Sequence, residues 1–272
     1  MDTINLHKKY EKLKEYLQGL GSAAVAFSGG VDSTFLLKAC YDALGDKAIA
    51  VTIRSDLQPV REYAGSDEFI RDENIQHCII DFDEYELDCF KQNPPDRCYF
   101  CKKEILSQII DIAKSKGIEN VVEGTNTDDK GDYRPGRRAV EELGVKSPLL
   151  EVGLSKQEIR TLSAELGLHT WNRHSPACLA SRFPYGIAIT PAAVAMVDKA
   201  EQYLFDLGFS QFRVRVHGDV ARIEVPNSEV DRFFNLEFMK TVSAEFKKLG
   251  YAYVSLDLDG YRIGSMNETL TL

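Results

Sequence analysis

The chain is expected to fold as an α/β protein, a doubly wound parallel sheet (PP-loop-like and Rossmann-like in architecture), followed by a second, smaller α+β domain. Three observations carry this expectation. The apolar run Ala23-Ala24-Val25-Ala26-Phe27 passes straight into Ser28-Gly29-Gly30-Val31-Asp32-Ser33 and then into a helical pattern. Further apolar runs alternate with helical patterns as far as Leu168. Beyond that point Phe212-Arg213-Val214-Arg215-Val216-His217 alternates strictly between apolar and basic residues, the mark of a strand with two unlike faces.

In chain order, the first run has no polar alternation and reads as a strand buried on both faces. Phe35, Leu36, Ala39, Cys40, Ala43 and Leu44 then recur at helical spacing until Gly45 supplies a stop. Ala48 to Ile53 reads as the second strand, His77 to Phe82 as the third and Val121-Val122-Glu123 as the fourth. One helical pattern runs from Pro59 toward Ile70, and another follows Cys98 through Ile105, Ile109, Ile112 and Ala113. Strands separated by helices of this length make a parallel sheet with helices on both faces. A last unit starts at Ser147-Pro148-Leu149-Leu150-Glu151-Val152, followed by a helix opening at Ser155, where Ser155 and Glu158 form a capping box. Lys156, beside that cap, has two readings, a solvated charge or a phosphate contact.

His169 to Gly186 has no clear period and contains two prolines, Trp171 and Cys178, so it reads as a long functional loop and domain crossing over 169–189. After it come a helix over Ala192 to Leu207, strands over Phe212 to Val216 and Val220 to Val225, helical segments up to Leu249, and a strand over Ala252 to Leu258. The expected division is therefore a nucleotide-activating domain over 1–168 and a substrate domain over 169–272. A chain of 272 residues with 44% hydrophobic content has enough material for two cores. No apolar run approaches the roughly twenty residues of a membrane span, and the first residues pattern as a polar helix, so the protein reads as cytoplasmic with no membrane partner. A net charge of −9 argues against a large nucleic-acid substrate.

The glycines between the first strand and helix let backbone amides approach an anion, and the first turn of the helix favours negative charge. Ser28, Ser33 and Thr34 add hydroxyl donors. A plain tight turn is the bland alternative. The run lacks the Lys and four-residue spacer of one common phosphate loop and the G-x-G-x-x-G of the dinucleotide turn. As it stands, SGGVDS resembles the PP-loop of the ATP pyrophosphatase superfamily. The resemblance implies cleavage of ATP between its α- and β-phosphates, with Ser28, Gly29, Gly30, Val31, Asp32, Ser33 and Thr34 binding the nucleotide. It also implies that Mg²⁺ and Asp32 assist the leaving pyrophosphate. Asp128 and Asp129 follow a strand end where a Mg²⁺ or adenine contact fits, or they belong to an ordinary polar loop.

In the second domain, the alternation puts Arg213, Arg215 and His217 on the face away from the core. Gly218-Asp219 makes a two-residue hairpin turn, which sets Arg215 opposite Arg222 and Arg213 opposite Glu224. Paired arginines repel, so something anionic is expected between them. The candidates are Asp257 or Asp259 from the last strand, or a phosphate or carboxylate of a substrate held by arginine forks, with Arg262 joining the cluster.

Of six cysteines, Cys40 and Cys78 read as buried thiols and Cys89 is unassigned. Cys98, Cys101 and the distant Cys178 admit a dithiol with persulfide chemistry, zinc completed by His174, a 4Fe-4S cluster with one open iron, or three unrelated thiols. The run Ala177 to Gly186, ACLASRFPYG, together with Asp132-Tyr133-Arg134-Pro135-Gly136 and Phe212-Arg213-Val214-Arg215, resembles the LarE family across nearly the whole chain. These are PP-loop sulfur transferases that build the nickel-pincer nucleotide cofactor of lactate racemase. The resemblance implies adenylation of the carboxylates of pyridinium-3,5-dicarboxylic acid mononucleotide and their conversion to thiocarboxylates. It assigns Arg182, Arg213, Arg215 and Arg262 to the substrate, and Glu201 and Asp231 to the lining of the site. Some members sacrifice the sulfur of a single cysteine at the position of Cys178; others hold a 4Fe-4S cluster on three cysteines, and Cys98 and Cys101 place this chain with the second kind. It further implies a sulfide or persulfide donor and a homohexamer. A tRNA thiolase is the rival enzyme of the same loop, an amide-forming synthetase lacks an evident ammonia source here, and an ATP- or metal-sensing module is the non-enzymatic alternative.

Overall fold

Four apolar runs form a parallel sheet: β1 (Ala23–Ala26), β2 (Ala48–Arg54), β3 (Gln76–Asp81) and β4 (Val121–Val122), in the order β3-β2-β1-β4. The register pairs Ala24 with both Ile49 and Val121, so the first strand lies at the centre. The computed structural model describes residues 3–59, 61, 66–131, 135–173, 177–262, 264–268 and 270.

Period-two alternation explains why helices cover both faces. Ala23 and Val25 pack with Leu6, Leu13 and Leu17 of α1 (Thr3–Leu20), Phe35, Leu36 and Leu37 of α2 (Val31–Leu44), and Ile159 and Leu162 near the C-terminal end of the sheet domain. Ala24, Ile49 and Val51 face the other way, onto Leu106, Ile109 and Ala113. The sheet is therefore doubly wound: β1, β4 and the first half of β2 are apolar because neither face meets water, whereas the edge strand β3 is partly polar and exposed. Each fully buried Leu or Phe adds about 1.5–3 kcal/mol, which makes this two-faced core the main support of the nucleotide loop.

The remaining elements of this part are α3 (Ser66–Asp72), α5 (Arg97–Ser115), α6 (Gly136–Glu142), α7 (Pro148–Glu151) and α8 (Lys156–Glu165); α4 (Asp88–Gln92), between α3 and α5 in chain order, belongs to the second unit. The helical pattern expected from Pro59 appears as α3; residues 60 and 62–65 lie outside the described residues. Lys146 adds one parallel bridge to Val122, after which Pro148 opens the short helix α7 rather than a ladder, since proline has no N–H to donate. Gly45 ends α2 with φ 57, as expected of a glycine stop. The Ser155–Glu158 capping box at the start of α8 is present, and Lys9 of α1 clamps Glu158 at 2.7 Å.

The second fold unit contains α9 (Pro191–Asp206), β5 (Arg213–His217), β6 (Val220–Glu224), α10 (Leu236–Leu249) and β7 (Tyr253–Leu256). Its sheet has the order β5-β6-β7, antiparallel and then parallel. The hairpin register sets Arg215 opposite Arg222 and Arg213 opposite Glu224, with Gly218 at φ 61 in the turn.

By its internal contacts the chain divides into a first unit of Met1–Ser55, Glu62–Phe82 and Asp96–Pro176, and a second of Asp56–Arg61, Asp83–Pro95 and Ala177–Leu272. Two short segments thus leave the first half of the sequence to join the second unit. Among the described residues no helix is long and apolar enough to cross a membrane.

Candidate active site

In the first unit, the loop between β1 and α2 presents the features its sequence promised. Gly29 takes φ 71, a conformation open chiefly to glycine, and Gly30 stands extended as the N-cap of α2 with no side-chain cap of its own. The helix therefore leaves its first amides unsatisfied by protein side chains, which favours an anion there. Ser33 holds the loop closed: its Oγ lies 3.1 Å from Ser28 Oγ and donates to the Gly30 carbonyl at 3.2 Å. Gly124, just past β4, was not singled out from sequence. A Cβ there would stand 3.1 Å from Asp32 Cβ and 3.2 Å from Ser33 N, so only glycine lets the β4 loop lie against the start of α2.

Lys156 is paired with the loop rather than left to solvent. Its Nζ lies 2.6 Å from Asp32 Oδ2, and its backbone N–H donates to Asp128 Oδ2. Burial pushes the Asp32 carboxyl up, with Lys156 pulling against it. The other oxygen, Asp32 Oδ1, is buried with no hydrogen-bond partner among the described residues, as is Thr34 Oγ1. An orphaned carboxylate oxygen on a phosphate loop fits a divalent cation accompanying a triphosphate. Asp129 accepts the Asn126 N–H and shapes the loop after β4.

Cys98 and Cys101 lie on the first turn of α5, three residues apart and hence on one helix face. Cys98 is exposed and Cys101 half-buried. The turn is set by its neighbours. Lys102 pairs with Glu123 at 3.0 Å, and Gly136 packs so closely that a Cβ would stand 3.0 Å from Lys102 Cδ. Burial pushes the Glu123 carboxyl up, but Lys102 and hydrogen bonds from Ser147 and Thr125 outweigh it and hold it down. Asp132, Tyr133, Arg134 and His174 lie outside the described residues.

In the second unit, Cys178 is exposed and immediately precedes the 3₁₀ turn Leu179–Arg182. That turn is built by arginines. Arg182, only 1% exposed, donates to the carbonyls of Ala177 and Cys178 at 2.9 and 3.1 Å and forks onto Glu201 at 2.8 and 2.9 Å. Arg215 Nη1 donates to the Ser181 carbonyl, and Leu179 N–H donates to the Leu57 carbonyl. Glu201, fully buried, also accepts from Arg61 and from Val214 N–H on the edge strand β5. Burial pushes the Glu201 carboxyl up, yet Arg182 outweighs it and the carboxylate stays ionised.

Three expectations change here. Arg182 and Glu201, expected to touch substrate, are a buried pair that positions the Cys178 turn. Arg215, expected on a solvated face, is 5% exposed, because the turn bearing Ser181 and the turn at Ser265 cover that face. The anion between Arg215 and Arg222 is chiefly Glu224, which takes both at 2.8 and 3.2 Å, with Asp257 3.3 Å from Arg222. Alternation revealed which residues share a face, but not what covers it.

Arg213 is different. It is half-buried, and among the described residues its guanidinium donates only to the neighbouring Phe212 carbonyl. Burial, then the like charge of Arg182, pushes it down, so an anion beside it would be stabilising. Arg262 is committed to Glu268 and Asp257, and Asp231 is exposed on the 3₁₀ turn Asn227–Phe234.

One buried acid escaped sequence reading because it sits in a short polar turn. Glu84, 2% exposed, has its carboxyl raised from 4.5 to about 7 by burial and then by Asp56 and Asp83. In the fold it stays protonated toward neutrality, whereas in the unfolded chain it ionises near its ordinary value. Its stabilising contribution is thus present below about pH 4.5 and is lost as pH rises through about 7. Glu84→Gln should match wild type in melting temperature near about pH 5 and exceed it near about pH 8. An equal difference at both pH values would contradict this.

Among the described residues no three His, Cys, Asp or Glu side chains converge as a metal-ligand set. Thiolates are the donors an iron-sulfur cluster takes, and Cys98 and Cys101 offer two on one helical face of the first unit, while Cys178 belongs to the second.

No protein-family model matches the chain. It is 40% identical over 269 residues to a pyridinium-3,5-bisthiocarboxylic acid mononucleotide synthase of Lactiplantibacillus plantarum, covering 98% of this chain and 96% of that protein. It is 39% identical over 266 residues to an uncharacterized protein of Synechocystis, covering 98% and 99%. An argininosuccinate synthase of Haloarcula marismortui shares 26% identity over 164 residues, 56% of this chain and 38% of that one.

Proposed function

Because the chain belongs to the LarE family of ATP-dependent PP-loop enzymes, we propose that it activates the carboxylates of pyridinium-3,5-dicarboxylic acid mononucleotide and replaces carboxylate oxygen with sulfur, toward the nickel-pincer nucleotide. The observation that carries the reading is Cys178, an exposed thiol on a turn whose carbonyls are gripped by buried arginines. Such a turn holds a sulfur in a fixed place without burying it.

A substrate carboxylate oxygen attacks the α-phosphorus of ATP, and the bond to pyrophosphate breaks, giving an acyl-adenylate. The open amides at the start of α2, with Ser28, Ser33, Thr34 and Lys156, hold the charge that collects on the pyrophosphate. Mg²⁺ held by Asp32 Oδ1 would neutralise part of that charge. Sulfide-level sulfur carried at the cysteines then attacks the acyl carbon, its proton passing to solvent and its bond to the carrier breaking as the thiocarboxylate is released. The acyl carbon–oxygen bond breaks, and AMP leaves with one oxygen that began on the carboxylate. Arg213, whose guanidinium among the described residues donates only to the Phe212 carbonyl, receives the substrate phosphate, with Arg215 behind it.

A 4Fe-4S cluster on Cys98, Cys101 and Cys178 would supply replaceable sulfur, drawn from sulfide or a persulfide. We assign activation to 1–168 and sulfur transfer to 169–272. Exposed Phe234, Leu236 and Met239 support a homo-oligomer. Anaerobically prepared protein should contain iron and acid-labile sulfide, and should lose both in Cys98→Ala. Stoichiometric zinc without iron would overturn the cluster assignment.

A further inference from the structure

The second unit holds a group of polar side chains that the reaction above does not use. On the 3₁₀ turn Glu84–Glu86, Glu84 Oε2 and Tyr85 Oη are both buried and have no hydrogen-bond partner among the described residues. Among the described residues the charges that bear on Glu84 are Asp56 and Asp83, both acidic, and its own backbone amide offsets part of its burial. Ionising a buried carboxyl among acidic neighbours, with no cation beside it among the described residues, is costly, so its retention points to a ligand that brings positive charge and lets it ionise.

Hydrogen bonds tie the segments that flank this turn, at Leu57, Phe90 and Asn93, to the crossing loop. Leu179 N–H donates to the Leu57 carbonyl, beside Asp56 and one residue beyond Cys178. Asn93 Nδ2 donates to the Pro184 carbonyl, Gly186 N–H to the Asn93 carbonyl, and Ile189 N–H to the Phe90 carbonyl. Asn93 is fully buried at φ 45, a conformation that only such contacts keep in place. Tyr85 feels the charge of Cys178 as well as that of Asp56. Its ring meets Phe90 edge-on at 6.3 Å.

We propose that Glu84, Asp56 and Tyr85 form a cation-recognising subsite beside Cys178 that receives the positively charged ring of a pyridinium mononucleotide. This rests on the substrate reading above and extends it from the phosphate to the ring. Carboxylates whose charge reaches an aromatic side chain suit a delocalised organic cation, whose charge needs no directional ligands. A metal ion suits the site less, because no three ligands converge there among the described residues. Seating the ring here brings its carboxyl substituents to the turn that carries the sulfur.

The test uses the full-length protein and two probes, nicotinic acid mononucleotide, whose ring is cationic, and its 1,4-dihydro form, whose ring is uncharged. Calorimetric titration of wild type should favour the cationic ring by about tenfold, the weight of one charge-assisted contact. Glu84→Gln should lose most of that preference while binding the reduced probe as before, and Asp56→Asn, at an exposed position, should lose part of it. Equal affinities of wild type for the two probes would overturn the proposal without any variant, as would a folded Glu84→Gln protein that keeps the full preference. Pyrophosphate release from ATP with the dicarboxylate mononucleotide is measured on the same wild-type sample. Activity there with no ring preference sinks the subsite alone, whereas no activity there sinks the substrate reading.

Discussion

Cys178→Ala should make no thiocarboxylate at any enzyme concentration, while its first turnover still releases pyrophosphate at close to the wild-type rate. The asymmetry follows from where the groups lie. ATP activation depends on the loop between β1 and α2, with Asp32 and Lys156, all in the first unit; the Cys178 thiol belongs to the second. Removing one sulfur atom from an exposed position disturbs no core packing, so the variant should melt within a degree or so of wild type. Stalled acyl-adenylate would then be lost only to water, and AMP would appear slowly. Single-turnover quench with product analysis by mass spectrometry reads both steps. Persistent thiocarboxylate formation in Cys178→Ala would show that the sulfur comes from elsewhere.

Arg182→Ala should cost about 3–5 kcal/mol, because it leaves Glu201 buried with only part of its compensation. For a protein of this size that lowers the melting temperature on the order of 10 °C. The comparison that makes this specific is Lys240, whose exposed pair with Glu237 is worth well under about 1 kcal/mol. Arg182→Lys keeps the charge but not the fork, and cannot reach two carbonyls and a carboxylate at once, so it should recover only part of the loss. The same substitutions release the carbonyls of Ala177 and Cys178, so the Cys178 thiol should react faster with an alkylating reagent. An Arg182→Ala protein that melts no lower than Lys240→Ala would contradict the positioning role.

The parts of this molecule that sequence disclosed are those whose causes are local. Strand, glycine turn and helix follow one another without a break from Ala23 to Leu44, so the phosphate loop could be read directly. The hairpin register was equally plain, because a two-residue turn at Gly218-Asp219 fixes which residues face each other. What stayed hidden depends on chain segments far apart in sequence. Nothing around Asp56 or Glu84 shows that these segments leave the first half of the chain to join the second unit. Glu224 looked like the partner of Arg213 across the ladder; that it neutralises Arg215 and Arg222 depends on the turn at Ser265, whose hydroxyl donates to it at 2.8 Å. Likewise Lys156 sits in a first helical turn, where lysines usually meet water, and only the packing of α8 beside α2 brings it to Asp32.

Oxygen labelling decides whether a carboxylate is activated by adenylation. Dicarboxylate mononucleotide carrying ¹⁸O in both carboxyl groups is turned over with ATP and a sulfur donor, and the AMP is weighed. Each carboxylate converted should pass one labelled oxygen to AMP, with pyrophosphate unlabelled and one AMP formed per sulfur gained. Unlabelled AMP, or ADP and phosphate in its place, would contradict the account.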